Sequence, residues 1–337
     1  MIDIQLVTQT GLMLLVVLLI GYLSEKIGFI NKDFTQTLSR FTMCVAQPCL
    51  LFSSVAGAAY SKSLIKQGGL VLLLAFGAHA VMAIMAKGAA LVYPDREERK
   101  ISEFSLLFVN CAFVGYPLLD AAFGEIGLFR GAFWVTAFNL IIWTWGIFLL
   151  SRGRTDIPFS FRRVILNYGT VPCLLGLLVY LLRIPIPSVV LDGMEAVGGL
   201  CTPVALLIIG ANLARIPLRK LFGGWKIYYF SAMRLLVFPL IVALLCRLCG
   251  LSDTWCLFVC IMTALPTAAN TVMFAEMYDI RPDAAAKTVG MTAVLSMLTI
   301  SPITAFASDL LSHIPRERHM LQKNNRCMRT NAVRMFP

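Results

Sequence analysis

Two short runs, N-C-A-F-V-G-Y-P at 110–117 and A-L-P-T-A-A-N at 264–270, sit inside long apolar segments and decide how this chain is read. Each carries a proline in a stretch hydrophobic enough to lie in a membrane, and each has an asparagine near it. A proline at membrane depth removes a backbone donor and frees the carbonyl one turn earlier, and hydrocarbon tolerates such groups only where protein or a water-lined cavity satisfies them. Two such interruptions in corresponding halves of one chain predict the binding site of a transporter.

The rest of the composition agrees with a membrane location. Apolar residues are 58% and charged residues 14% of 337, and several runs approach the twenty residues needed to cross ~30 Å of hydrocarbon. No soluble domain is left over. The first apolar run is preceded by Asp3 and by no Lys or Arg, so it is expected to stay as a helix and not to be removed as a signal peptide. Ten spans are predicted, at 6–22, 37–56, 68–92, 103–123, 132–150, 164–182, 190–213, 227–249, 255–277 and 285–308. An all-α integral membrane protein follows.

The two halves match in layout. Pro48 and Pro203 lie 155 residues apart, and Pro117 and Pro266 lie 149 apart. Near-equal offsets predict a five-helix repeat, and because five is odd the second copy must be inverted. The expected organisation is a first repeat over 1–151, a linker over 152–163, an inverted second repeat over 164–309 and a basic, disordered tail over 310–337.

Lys and Arg set the orientation. With the N-terminus outside, the cytoplasmic connections carry fifteen basic residues, Arg152, Arg215 and Arg281 among them, against five on the other face (Lys62, Lys66, Arg130, Arg183 and Arg247). Both termini are therefore expected outside the cytoplasmic membrane, although the tail adds six more basic residues on that side. The net charge of +11 is accounted for by topology and tail and does not imply nucleic acid. Of the ten cysteines most are scattered through apolar runs as small hydrophobes. The C-R-L-C run at 246–249, with Cys256 nearby, closes a helix at its negative end, which disfavours a thiolate. No metal and no cofactor are expected, and a disulfide on the outer side stays open.

The runs G-Y-L-S-E-K-I-G-F-I (21–30), L-S-R-F-T-M-C-V-A-Q-P-C-L-L-F (38–52), C-T-P-V-A-L-L-I-I-G-A-N-L (201–213), M-R-L-L-V-F-P-L (233–240) and L-P-T-A-A-N-T-V-M-F-A-E-M-Y (265–278), together with the 110–117 run, occur in a specific order and spacing. That order resembles the auxin efflux carrier family, whose bacterial members include malate permeases. The resemblance covers about residues 10 to 308 and implies a ten-helix inverted repeat like that of sodium/proton antiporters and bile acid symporters. In that plan helices four and nine are broken and cross near the midplane. Helices one, two, six and seven form a scaffold, through which a homodimer can form, and the other six form a mobile core.

The residues themselves point to the same place. Pro117 and Pro266 each suit the first position of a half-helix, where a missing N–H costs little, so two helix N-termini are expected to face the crossing and favour a carboxylate. Asn110 and Asn270 supply neutral donors and acceptors there, or tie off a freed carbonyl of their own broken helix; the family pattern has an Asn at the first position and often at the second. Gly115 and Tyr116 form the bend, with glycine supplying backbone freedom. Asp120, expected in the first turn after Pro117, either complements the helix dipole or carries a coupling proton. Arg234 either balances the negative ends of the inner half-helices or snorkels to the interface, and Lys87 is expected to snorkel. His79 is read as a packing residue outside the site.

Other classes lack their parts. An intramembrane protease needs paired aspartates, a Ser/His pair or H-E-x-x-H, where the chain is read as offering one intramembrane Asp and one intramembrane His, and an ATP-driven pump needs a phosphate-binding loop, which the sequence lacks. No acid lies between 132 and 150, where the related antiporters carry adjacent aspartates. The chain is thus expected to be no enzyme but a carrier of small organic anions, with malate-like dicarboxylates leading. A sodium-coupled symporter and a non-transporting sensor of the same fold are the alternatives.

Overall fold

The computed structural model describes residues 4–153, 166 and 168–313. Among these residues every regular element is a helix, and the one isolated β-bridge joins Val109 to Thr267. Six helices are long and apolar enough to cross a membrane: Thr8–Lys26, Lys62–Val92, Glu125–Ser151, Ser188–Arg215, Trp225–Leu248 and Pro282–Leu310. Thr170–Leu182 and Asp253–Ala264 are apolar but shorter. The remaining predicted spans fall short for local reasons. The helix that starts at Lys32 opens on K-D-F-T-Q-T and is polar there, and the helices flanking 110–117 and 264–270 are interrupted. The last helix runs on to His313, so residues 310–313 belong to it and not to a disordered tail. The rest of the tail, and 154–163 of the linker, lie outside the described residues.

Two of three wide π-type turns trace to proline. Proline lacks a donor and clashes with the carbonyl four residues earlier, so the preceding turn opens. Pro48 follows the turn Thr42–Ala46, and Pro239 follows Met233–Val237. The third, Ile142–Gly146, has no proline; the Thr144 hydroxyl instead donates to the carbonyls of Leu140 and Ile141 at 2.6 and 3.2 Å and competes with the ladder.

The helices pack in two groups. The N-terminal helix lies along Cys201–Arg215, and Gln47–Ala56 packs against Thr170–Leu182 and Ser188–Gly199. In the second group Lys62–Ala89 packs on Glu125–Ile141 and Arg96–Leu107, and Asp253–Ala264 packs on Phe238–Leu248 and Pro282–His313. Arg215 ties the first group at one end, with Nε and Nη2 donating to the two carboxylate oxygens of Glu25 at 2.8 and 2.7 Å and Nη1 donating to Thr35 and Asn212. Leucine side chains such as Leu174, Leu178 and Leu182 stay exposed, as expected of a surface that meets lipid.

Small residues permit the closest approach. A Cβ on Gly21 would meet the Leu207 backbone, and one on Gly210 the Leu18 carbonyl, so the N-terminal helix and Cys201–Arg215 touch backbone to backbone. Replacing Gly210 with Leu should therefore destabilise the protein by about 1–3 kcal/mol through overpacking. A methyl on Gly193 would meet no atom within 4 Å, so Gly193→Ala should be neutral or slightly stabilising. Thermal unfolding in detergent compares the two, and an unchanged midpoint for Gly210→Leu would contradict the close contact.

Candidate functional site

Helix Arg96–Leu107 stops at Phe108, and the chain turns irregularly until Gly115 starts the next helix. Asp253–Ala264 likewise stops at Leu265, and Asn270 starts the short helix that ends at Met277. The two breaks pair with each other in antiparallel fashion. Asn110 N–H donates to the Pro266 carbonyl at 2.8 Å and Ala268 N–H to the Phe108 carbonyl at 3.0 Å. Leu265 is extended, with φ −62° and ψ 152°, the conformation a following proline favours.

The carbonyls freed where the helices stop are claimed by side chains from other elements. Thr267 Oγ1 donates to the Ser105 carbonyl at 3.1 Å, and Thr292 Oγ1 accepts from Thr267 N–H at 3.1 Å. Thr292 in turn donates to the Thr288 carbonyl at 2.7 Å, and Thr288 Oγ1 donates to Ser105 Oγ at 3.2 Å. All four residues are buried. At the other helix end Arg234 Nη1 donates to the Thr263 carbonyl at 2.8 Å. Arg234 is 0% exposed, which rules out snorkelling; it turns inward, and its Nε and Nη2 have no hydrogen-bond partner. Its charge faces the negative end of Asp253–Ala264, where the helix dipole favours a cation. Lys87 is exposed.

The breaks border a small void of about 10 Å³, lined by Gln47, Val109, Asn110, Cys111, Ala112, Phe113, Phe138, Ala268 and Asn270. That is room for about one water molecule. The structure therefore brings Asn110 and Asn270 to one void. Tyr116, Pro117, Pro266, Gly115, Asp120 and Arg234 are not in this lining.

Asn110 is 3% exposed; its Oδ1 accepts from Phe113 N–H at 3.3 Å, while its own carbonyl accepts from Val114 and Gly115. It thus caps N–H groups and not a freed carbonyl, and its Nδ2 is buried without a partner.

Three local expectations are corrected. Pro117 is the third residue of its helix, still within the first turn where no N–H is needed, and Pro266 lies in the extended crossing, four residues before Asn270. Gly115 does not adopt a positive φ; a Cβ there would sit 3.1 Å from Leu265 Cδ1, so glycine serves the close approach of the two breaks. Asp120 falls in the second helical turn and is exposed. His79 is buried as a packing residue, its Nδ1 2.7 Å from the Ala75 carbonyl and its ring 5.8 Å from Trp134. Sequence reasoning misses Gln47 and the Ser105, Thr267, Thr288 and Thr292 hydroxyls. Gln47 is the lone carboxamide of an apolar run and stands directly before a proline, a signal that could find it; scattered hydroxyls in apolar helices carry none.

No disulfide joins the nine described cysteines, and no group of three or more His, Cys, Asp or Glu among the described residues could hold a metal.

A family model described as "Membrane transport protein" matches residues 6–304. The chain is 23% identical over 302 residues to an "Uncharacterized transporter" of Methanothermobacter thermautotrophicus, covering 87% of this chain and 96% of that one. It is 22% identical over 297 residues to "Uncharacterized transporter MJ1031" of Methanocaldococcus jannaschii, covering 86% and 95%. A protein of Rhizobium meliloti named "Putative malonate transporter" is 29% identical over 100 residues, which are 29% of this chain and 31% of that one.

The hydroxyl that closes the crossing gives a direct test. Thr267→Val keeps the side-chain shape but orphans the buried Ser105 carbonyl, and should cost about 1–3 kcal/mol in stability. Thr267→Ser should recover most of it. Thermal unfolding in detergent reads both, and equal midpoints for the Val variant and the parent would show that this bond adds nothing.

Proposed function

The chain belongs to the membrane transport protein family, the auxin efflux carriers its motifs resemble, and on that premise we propose that it is a secondary transporter of small organic anions, with malate- or malonate-like dicarboxylates as the leading substrates. The observation that carries this reading is the void at which Asn110 and Asn270 meet beside the starts of two short helices. No acid lines it, carboxamide donors do, and helix N-termini favour negative charge. The name of the Rhizobium relative favours a small dicarboxylate.

The mechanism is alternating access in a ten-span, 5+5 inverted repeat with both termini outside. The placement of the two breaks, one in each half of the chain, supports that plan. A void of about 10 Å³ does not admit a dicarboxylate, so binding requires the helix group carrying the crossing to move against the group built on the N-terminal helix. Arg234 travels with the crossing and offsets both the freed carbonyl of Thr263 and part of the charge of the bound anion. If a proton accompanies the anion, we assign it to Asp120, the acid on Gly115–Phe123.

Purified protein in liposomes offered a panel of labelled organic acids tests the reading. The parent should accumulate a dicarboxylate. Asn110→Ala and Asn270→Ala should each lower uptake about 10-fold or more while remaining monodisperse, since a hydrogen bond to a charged group is worth roughly 1.5–3 kcal/mol. An imposed pH gradient should drive the parent, and Asp120→Asn should exchange substrate without responding to the gradient. Binding without flux would make the protein a sensor; full activity of both Asn variants would make the crossing purely structural.

A further inference from the structure

Asn110 and Asn270 reach the void from the two breaks, but the third carboxamide there comes from the other helix group. Gln47 opens the helix Gln47–Ala56, whose main packing partners are Thr170–Leu182 and Ser188–Gly199. It is 7% exposed and lines the void together with Asn110 and Asn270. Asn110, 3% exposed, has an unpartnered Nδ2 at the same void. A buried polar group without a partner is costly, and interiors seldom keep one without a use. Here the unpartnered Asn110 amide faces a space that Gln47 lines from the other helix group. Between them the lining is apolar, with Val109, Ala112, Phe113, Phe138 and Ala268.

The backbone has a device that aims Gln47. The turn Thr42–Ala46, opened by Pro48, adds one residue to the helix immediately before Gln47. One extra residue rotates everything after it by about 100° around the helix axis, so the face continued from Lys32–Phe41 is not the face that carries Gln47.

We infer that Gln47 is a substrate-binding residue supplied by the helix group that does not carry the crossing: its carboxamide donates to a carboxylate oxygen of the bound anion while Asn110 and Asn270 hold it from the other side. This rests on the proposed function. Its consequence is specific. When the crossing moves, the bonds from Asn110 and Asn270 travel with the substrate and the bond from Gln47 breaks, so Gln47 sets affinity without being needed for the movement.

The test uses the full-length protein in liposomes, with labelled malate and malonate as probes. Gln47→Met keeps length and removes the amide; it should raise KM about 10-fold and leave the maximal rate within about twofold. Gln47→Glu puts a negative charge against the anion at about pH 7.5, where uptake should be lost. Burial and the adjacent anion raise the pKa of the introduced carboxyl above the usual ~4.3, so at about pH 5.5 it takes up a proton in part, can donate again, and uptake relative to the parent should rise. A residue that only packs would not give this recovery. Parent KM and parent pH profile in both variants would overturn the inference and leave the transport reading intact, whereas a parent that carries neither probe would overturn the transport reading itself. If Gln47→Met does not fold, Gln47→Glu decides: a monodisperse variant that is inactive at both pH values, or that matches the parent at both, counts against Gln47.

Discussion

The structure depends on one constraint: a chain interrupted inside an apolar interior has no water to bond its freed backbone groups. Two interruptions solve this by bonding to each other. Asn110 N–H reaches the Pro266 carbonyl, and Ala268 N–H reaches the Phe108 carbonyl. What the pairing leaves over is taken up by side chains from further away, Thr267 on Ser105 and Arg234 on Thr263. Helices that contribute no backbone to the crossing are thereby committed to it, because Arg234 lies in the turn Met233–Val237 and Thr292 and Thr288 in Pro282–His313.

That constraint also explains how polar groups are distributed. The hydroxyls of Thr267, Thr288, Thr292 and Ser105 bond to one another and to carbonyls, and so have little left to offer a ligand. The carboxamides of Asn110 and Gln47 are different: both residues are buried and line the same small void, and Asn110 Nδ2 is without a partner. Satisfied polar groups fasten the crossing, and the unsatisfied Asn110 amide lies at the void on which the proposed function rests. Aromatic rings pack around it, with Phe108 against Phe138 at 5.7 Å and Phe104 against Phe274 at 5.6 Å, so a solute at this depth would meet few polar groups besides the carboxamides.

Close packing is concentrated within the group built on the N-terminal helix. Gly21 and Gly210 let the N-terminal helix and Cys201–Arg215 meet backbone to backbone, and the two-pronged bond from Arg215 to Glu25 fixes their ends. Such a contact resists sliding, since any bulk between the backbones would force them apart. Across the void the facing groups are the side chains of Gln47, Asn110 and Asn270, and side chains can part and meet again with less disturbance than interlocked backbones.

The sequence by itself determined the helical class and membrane character, because long uncharged runs in water have no other stable outcome. It also located the two breaks, since proline acts locally on its own helix, and it singled out Asn110 and Asn270 as polar groups stranded beside them. Tertiary structure alone decided how those features meet. Proline says where a helix stops but not which distant carbonyl its neighbour will reach, so the antiparallel pairing of Val109 with Thr267 had no local signature. Arg234 in an apolar run could turn inward or outward, and the freed carbonyl of Thr263 settled it. Gly115 reads as the bend of the break in sequence and proves to be a gap for Leu265. Gln47 enters the void from a helix more than sixty residues from Asn110 in sequence. In each case the deciding energy is the satisfaction of a buried polar or close-packed group by a residue remote in the chain, and such a pairing exists only once the chain is folded.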